Sequence, residues 1–176
     1  VTGITCSNAE AEMAFGVLDD YWVFDLEDNF PDDLLKRSFD ALIFSHVLEH
    51  LRDPARVVME FVRRLQTGGQ VLIAVPNVLG WRDRIRFLFG KFEYESSGVL
   101  DDTHLRFFTY YTADSFLLAQ CDQLTVLEKS VTGSVPLWWF RRYLLPASWC
   151  QAIDRIGCKY WPNLFGGQVL IKAIKK

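Results

Sequence analysis

The stretch "FDALIFSHVLEHLRDPARVVMEFVRRLQTGGQVLIAVPN", residues 39–77, decides the fold. "FDALIF" is a continuous apolar run of the kind found in strands buried on both faces. Ser45, His46, Glu49 and His50 follow where that run ends. Asp53 has the side chain of an N-cap and Pro54 the fixed φ of a first-turn residue, so a helix is expected over "PARVVMEFVRRLQ". Val57, Val58, Phe61, Val62 and Leu65 make one apolar stripe on it, with Arg56, Glu60, Arg63 and Arg64 mostly toward water. Gly68–Gly69 is expected to end the helix. "QVLIAVPN" then reads as a second buried strand. Strand, helix and strand in this order make a βαβ unit and a largely parallel sheet.

The alternation extends in both directions. Upstream, "VTGIT" reads as a strand, "SNAEAEMAF" as a helix with a Ser/Asn cap, and "YWVFDLED" as a strand ending in acids. Downstream, "WRDRIRFLFGKF" is an amphipathic helix, "SGVLDDTHLRFFT" a loop, and "TADSFLLAQC" a helix capped by Thr112. "LTVLEKSVTG" and "GQVLIKAIKK" are two late strands. The aromatic insert Val135–Phe165 separates them. The expected fold class is α/β: a Rossmann-like, doubly wound, mostly parallel sheet with an antiparallel C-terminal strand. No linker composition interrupts residues 1–176, so a single domain is expected.

With 176 residues, half of them hydrophobic, the chain has the material for one sizeable core. A net charge of −3 argues against a general nucleic-acid binder, which shows a basic face. Cys6, Cys121, Cys150 and Cys158 form no CxxC pair and read as reduced packing thiols, which points to the cytoplasm. No apolar run reaches the length of a membrane span. The insert interleaves aromatics with arginine; a substrate lid or packing on the sheet edge is favoured over membrane contact.

In an open α/β sheet, ligands sit beyond the C-terminal ends of the strands. Four such ends carry polar residues: Thr5–Cys6–Ser7, Asp25–Leu26–Glu27–Asp28, Ser45–His46, and Asn77 after Pro76. These four are expected to converge on one crevice. A carboxylate at Asp25 beside an apolar Leu26 suits a flat ring bearing an exocyclic amine.

The 39–77 stretch closely resembles the corresponding region of class I S-adenosylmethionine-dependent methyltransferases. It is most similar to the bacterial group with the ubiquinone-biosynthesis O-methyltransferases and sugar or cell-surface methyltransferases. "GVLDDTHLRFFT", residues 98–109, resembles a second segment of that group. The resemblance covers about residues 1 to 130. It implies S-adenosylmethionine as cofactor and transfer of a methyl group to an O or N nucleophile of a small molecule. Asp25 matches the acid that bonds the adenine amine, Leu26 the residue flanking the ring, and Ser45 and His46 positions near the methionine portion. His50 is expected to face the same pocket.

Two departures stand beside these matches. Thr5 occupies the place of an acid that grips both ribose hydroxyls; one hydroxyl lacks that bidentate reach, so Ser7 is expected to help. The glycine-rich turn lies upstream of the ribose position by dinucleotide spacing, whereas Thr5 is fifth here and Gly3 the only glycine before it. An N-terminally shortened segment, with the first strand of the sheet missing, is therefore the expectation. These departures favour a second reading, a methyltransferase-like module that binds or assembles without catalysis.

Methyl transfer is a displacement governed by alignment, with a base needed when the acceptor is a hydroxyl or a protonated amine. Histidine suits that task, and the chain has three: His46, His50 and His104. His104 is the favoured base and His50 the second candidate. Arg106 and Asn77 are candidate substrate contacts. A three-histidine metal site lacks any HxxxH-type spacing, and no metal is expected. Acceptor identity and oligomeric state are not encoded in any motif.

Overall fold

Ser7 closes the first strand and opens the first helix, its hydroxyl accepting from the Glu10 amide at 3.4 Å. In this computed structural model, which describes residues 1–14 and 16–176, the cap joins β1 (Thr2–Thr5) to α1 (Asn8–Met13). β2 (Asp20–Val23) and the single turn α2 (Asp32–Leu35) follow. Phe15, the last residue of the expected "SNAEAEMAF" helix, lies outside the described residues. β1 and β2 pair in parallel with Thr5 opposite Val23. The Phe24 amide then donates to the Thr5 carbonyl at 3.0 Å, one step past the ladder. β2 stops short of "FDLED" because the Asp25 carboxylate accepts from the Glu27 amide at 2.9 Å, an Asx turn. Residues 1–38 form one compact unit and 39–176 a second.

The second unit is built on a four-stranded sheet in the order β3-β4-β6-β5. β3 is Phe39–Ser45 and β4 Leu65–Pro76, joined through a 3-10 turn at Leu48–His50 and helix α3 (Pro54–Arg63). α4 (Trp81–Leu88) and α5 (Ala113–Leu117) precede β5 (Leu124–Gly133). The insert folds as α6 (Trp138–Leu144), α7 (Ala147–Tyr160) and α8 (Pro162–Phe165), after which β6 (Gly166–Lys175) returns to the sheet. β3 and β4 are parallel, while β6 runs antiparallel to both β4 and β5. This is the expected arrangement of a mostly parallel sheet with an antiparallel last strand.

Asp53 caps α3 by accepting from the Arg56 amide at 3.1 Å, and Pro54 sits in the first turn. The stripe Val57, Val58, Phe61, Val62 and Leu65 is buried in full. Phe44 of β3 meets Phe61 edge-on with ring centroids 5.7 Å apart. Lys175 closes the other end of the helix, its Nζ donating to the carbonyls of Val62 at 2.7 Å and Leu65 at 2.8 Å.

Two local expectations are corrected. The helix ends at Arg63, before the glycines. Gly68, with φ of 81°, instead lies inside β4. There the pairing with β3 slips between Phe39 and Ala41, a bulge that needs a residue free to take positive φ. "FDALIF" is also not buried on both faces. Leu42 and Phe44 are buried, whereas Ile43 between them is 71% exposed. β3 is an edge strand of its sheet, and helix α3 covers one face; an apolar run alone does not distinguish one covered face from two.

The insert packs on β5 through α7. Arg141 ties it down, donating to Asp154 at 2.7 Å and to the Val135 carbonyl at 2.8 Å. Gly157 is required where α7 crosses: a Cβ there would come within 2.3 Å of Val135 and 3.2 Å of the Phe165 ring. Among the described residues, no helix is long and apolar enough to cross a membrane.

Candidate functional site

β3 ends at Ser45, and the chain turns sharply at His46, whose φ of 52° is a left-handed value unusual for a side-chain-bearing residue. The His46 amide still donates to Ala74 of β4 at 3.0 Å, so the sheet fixes the turn. Such strain persists where the surroundings over-determine it, and it clusters at functional sites. The His46 ring spans two partners, with Nδ1 3.2 Å from Glu49 Oε1 and Nε2 2.7 Å from Gln168 Oε1. Gln168 is held in turn by donating to Thr132 Oγ1 at 2.7 Å.

The 3-10 turn then places Glu49 and His50 side by side. The loop "GVLDDTHLRFFT" closes over them because the Leu105 and Arg106 amides both donate to the Glu49 carbonyl, at 2.9 and 3.0 Å. That brings the His104 ring to 4.7 Å from the His50 ring, centroid to centroid. The Nδ1 of each imidazole is engaged: His104 Nδ1 with the Val99 carbonyl at 3.1 Å, His50 Nδ1 with Thr103 Oγ1 at 3.0 Å. The Nε2 atoms carry no such bond among the described residues. Asp101 is held below the ordinary carboxylate range, first by the Thr103 hydroxyl and then by the Thr103 amide. His46, Glu49, His50, Asp101, His104 and Gln168 border one cavity of about 520 Å³.

Glu49 is the residue the sequence did not single out. Its side chain is 0% exposed, and its Oε2 has no hydrogen-bond partner among the described residues. An orphaned buried oxygen costs about 1–3 kcal/mol. Glu49→Met is therefore expected to raise the free energy of unfolding by about 1–2 kcal/mol, read by urea denaturation. A loss of similar size would show that this carboxylate holds the loop in place. The available signal was a lone acid inside the apolar run "VLEHL", with Leu48 and Leu51 buried beside it.

The other expected contacts fall in different places. Ser45 is exposed at its strand end. Asn77 is fully buried, with its side chain committed to backbone groups. Its amide donates to Gly166 O at 2.7 Å and Asn163 O at 3.3 Å, and its oxygen accepts from the Leu79 amide at 3.2 Å. Its hydrogen-bonding atoms hold backbone, a different task from the expected substrate contact. The Arg106 guanidinium lies on the Arg52 carbonyl, Nε at 3.0 Å, which commits part of its fork to the protein.

In the first unit, Thr5 and Asp25 sit at the same end of the parallel β1-β2 pair. The Thr5 hydroxyl accepts from the Ser7 amide at 3.1 Å and donates to the Glu10 carboxylate. Glu10 is the second residue that sequence reading missed. Its signal was the Ser7-x-x-Glu10 spacing of a capping box, a pattern in which the acid returns to the cap backbone. Here it bonds the Thr5 side chain instead.

The methyltransferase-domain family matches residues 2–119, more than half of the chain and both units. The chain belongs to that family. Solved structures agree on the fold of this methyltransferase. A SAM-dependent methyltransferase from Archaeoglobus fulgidus aligns at 17% identity and TM-score 0.57, covering 99% of this chain and 75% of that one. One from Thermotoga maritima, described as a possible histamine N-methyltransferase, aligns at 15% identity and TM-score 0.60, covering 99% and 72%. A methyltransferase from Bacillus halodurans aligns at 19% and TM-score 0.58, covering 99% and 82%. No curated protein sequence matches the chain. The Rossmann-like α/β class is thereby established, and S-adenosylmethionine is the methyl donor of this class I family.

Proposed function

We propose that this methyltransferase moves a methyl group from S-adenosylmethionine to an oxygen or nitrogen of a small molecule. The observation that carries the reading is the His50–His104 pair, two imidazoles on one cavity whose Nε2 atoms carry no hydrogen bond among the described residues. The family match runs from residue 2 to 119 and so includes residues of both units. The structure related to the Thermotoga maritima protein adds a possible small amine acceptor as precedent for the fold. Free cysteines at Cys6, Cys121, Cys150 and Cys158 are compatible with the cytoplasm.

The strand tips fit the nucleoside half of the cofactor. Asp25 presents a carboxylate for the adenine amine, with Leu26 next to it to flank the ring. At Thr5, a single hydroxyl falls short of two ribose hydroxyls, but the Glu10 carboxylate bonded to it supplies the missing acceptors. Ser45 ends β3 in the second unit and His46 follows it, and the family resemblance assigns positions of this kind to the methionine portion. When bound, S-adenosylmethionine supplies an electrophilic methyl carried on a sulfonium. His104, with Nδ1 fixed on Val99, takes the acceptor's proton at Nε2, and His50 confines the acceptor beside it. Most of the remaining acceleration comes from alignment. The cavity, at about 520 Å³, lies in the size range of small-molecule pockets, which supports an acceptor of that class.

The test is methyl transfer from radiolabelled S-adenosylmethionine to a panel of phenols, sugars and amines. Turnover of at least one acceptor class, lost in His104→Ala, is the expected result. Binding of S-adenosylhomocysteine with no transfer to any class would support the non-catalytic module instead.

A further inference from the structure

We propose that Glu49, His50 and His104 form a binding site for one divalent transition-metal ion. One ligand atom from each of the three lies within 4.8 Å of the other two, a cluster that contracts onto a cation with small side-chain movements. Three independent features make it a built site. The first is the Glu49 carboxylate, 0% exposed, with Oε2 unpartnered among the described residues. Oε1 meets His46 Nδ1 at 3.2 Å, so the carboxylate is only half satisfied. Leaving the second buried oxygen bare is costly, and coordination of a metal is one arrangement that compensates it. The second is the orientation of the imidazoles. Metal-bound histidines present one nitrogen to the ion and give the other N–H to a carbonyl or other acceptor. Here His104 Nδ1 meets the Val99 carbonyl at 3.1 Å and His50 Nδ1 meets Thr103 Oγ1 at 3.0 Å, which leaves both Nε2 atoms as ligands. Thr103 is fixed in turn by Asp101. The third is room: the three residues border the cavity of about 520 Å³, so positions beyond the three protein ligands remain open.

Two imidazoles and one carboxylate with open positions are the donor set of catalytic zinc and of non-haem iron(II). Nitrogen ligands select against magnesium and calcium, which take oxygen. From the sequence, only a three-histidine site is considered, and no metal is expected. The ligands are two histidines 54 positions apart and a buried acid adjacent to one of them. Cation binding stands independently of methyl transfer. A role in the reaction would rest on the methyl transfer proposed above and would take the place of the histidine base there, because His104 Nε2 cannot both coordinate a cation and accept a proton. An open position would then hold the acceptor oxygen.

The experiment uses the whole chain, stripped with EDTA and dialysed, titrated with Zn²⁺ by calorimetry and with Co²⁺ by visible absorption. The expected result is one equivalent of Zn²⁺, bound in competition with Co²⁺ and undisturbed by millimolar Mg²⁺. His50→Ala, His104→Ala and Glu49→Gln should each weaken binding by about a hundredfold or more. Circular dichroism checks each fold, and His104→Asn substitutes where the alanine variant unfolds. Absence of stoichiometric binding to the wild-type chain overturns the proposal, as does binding that survives these substitutions. Methyl transfer that persists in EDTA with no Zn²⁺ bound removes the cation and leaves the histidine base. Zn²⁺ bound tightly without any transfer keeps the site and removes the proposed reaction.

Discussion

Exchange of His104 for alanine is expected to lower kcat for methyl transfer by about 10²–10⁴-fold while leaving S-adenosylhomocysteine affinity unchanged. That range corresponds to about 3–5 kcal/mol of transition-state stabilisation. The loop that carries His104 does not depend on the imidazole for its position. The Leu105 and Arg106 amides hold it on the Glu49 carbonyl, and Arg106 lies on Arg52. The loss should therefore appear in kcat, with secondary structure and melting temperature close to wild type. His104→Asn keeps a donor toward Val99 without a base or a strong ligand, so its loss should match that of alanine. A fall of less than threefold would place His104 outside the reaction. A rise in KM with kcat intact would make it a contact that only binds the acceptor.

Asn77→Ala is expected to destabilise the second unit by about 2–4 kcal/mol, the largest stability effect of any candidate site residue. The side chain is 0% exposed and bonds Gly166 O, Asn163 O and the Leu79 amide. It thus joins the end of β4 to the start of β6 and to α8. Alanine leaves those backbone groups without these partners, and no apolar contact replaces them. Urea denaturation gives the measurement. A change below about 0.5 kcal/mol, the range of ordinary surface substitutions, would show that water replaces the amide and would return Asn77 to the list of substrate contacts.

The elements were legible because their physical signals are local. The Asp53–Pro54 start, the four stripe residues Val57, Val58, Phe61 and Val62 on α3 and the apolar runs of β4 and β6 are each signalled within a single element. What escaped depends on partners far away in the chain. Ile43 is exposed because, among the described residues, no helix covers its face of β3, a fact absent from "FDALIF" itself. Asn77 looked like a ligand contact because it follows a strand, and only the return of residues 163–166 turns it into a bracket. His46, His50 and His104 stood out as the only histidines. Glu49 did not, since an acid in a turn looks solvated until the loop from 98 to 109 is seen to close over it. Glu10 was hidden in the same way, behind a capping pattern that accounts for it without reference to Thr5. Residue type announced the imidazoles; burial, which sequence encodes only collectively, announced Glu49.

The central claim is that the end of the β1-β2 pair holds the adenosine of the methyl donor through Asp25. Calorimetric titration of the chain with S-adenosylhomocysteine, beside Asp25→Ala, tests it most directly. The account predicts one-to-one binding that the substitution weakens by about tenfold or more, the loss of one charge-assisted hydrogen bond. Equal affinity in the two proteins would contradict it.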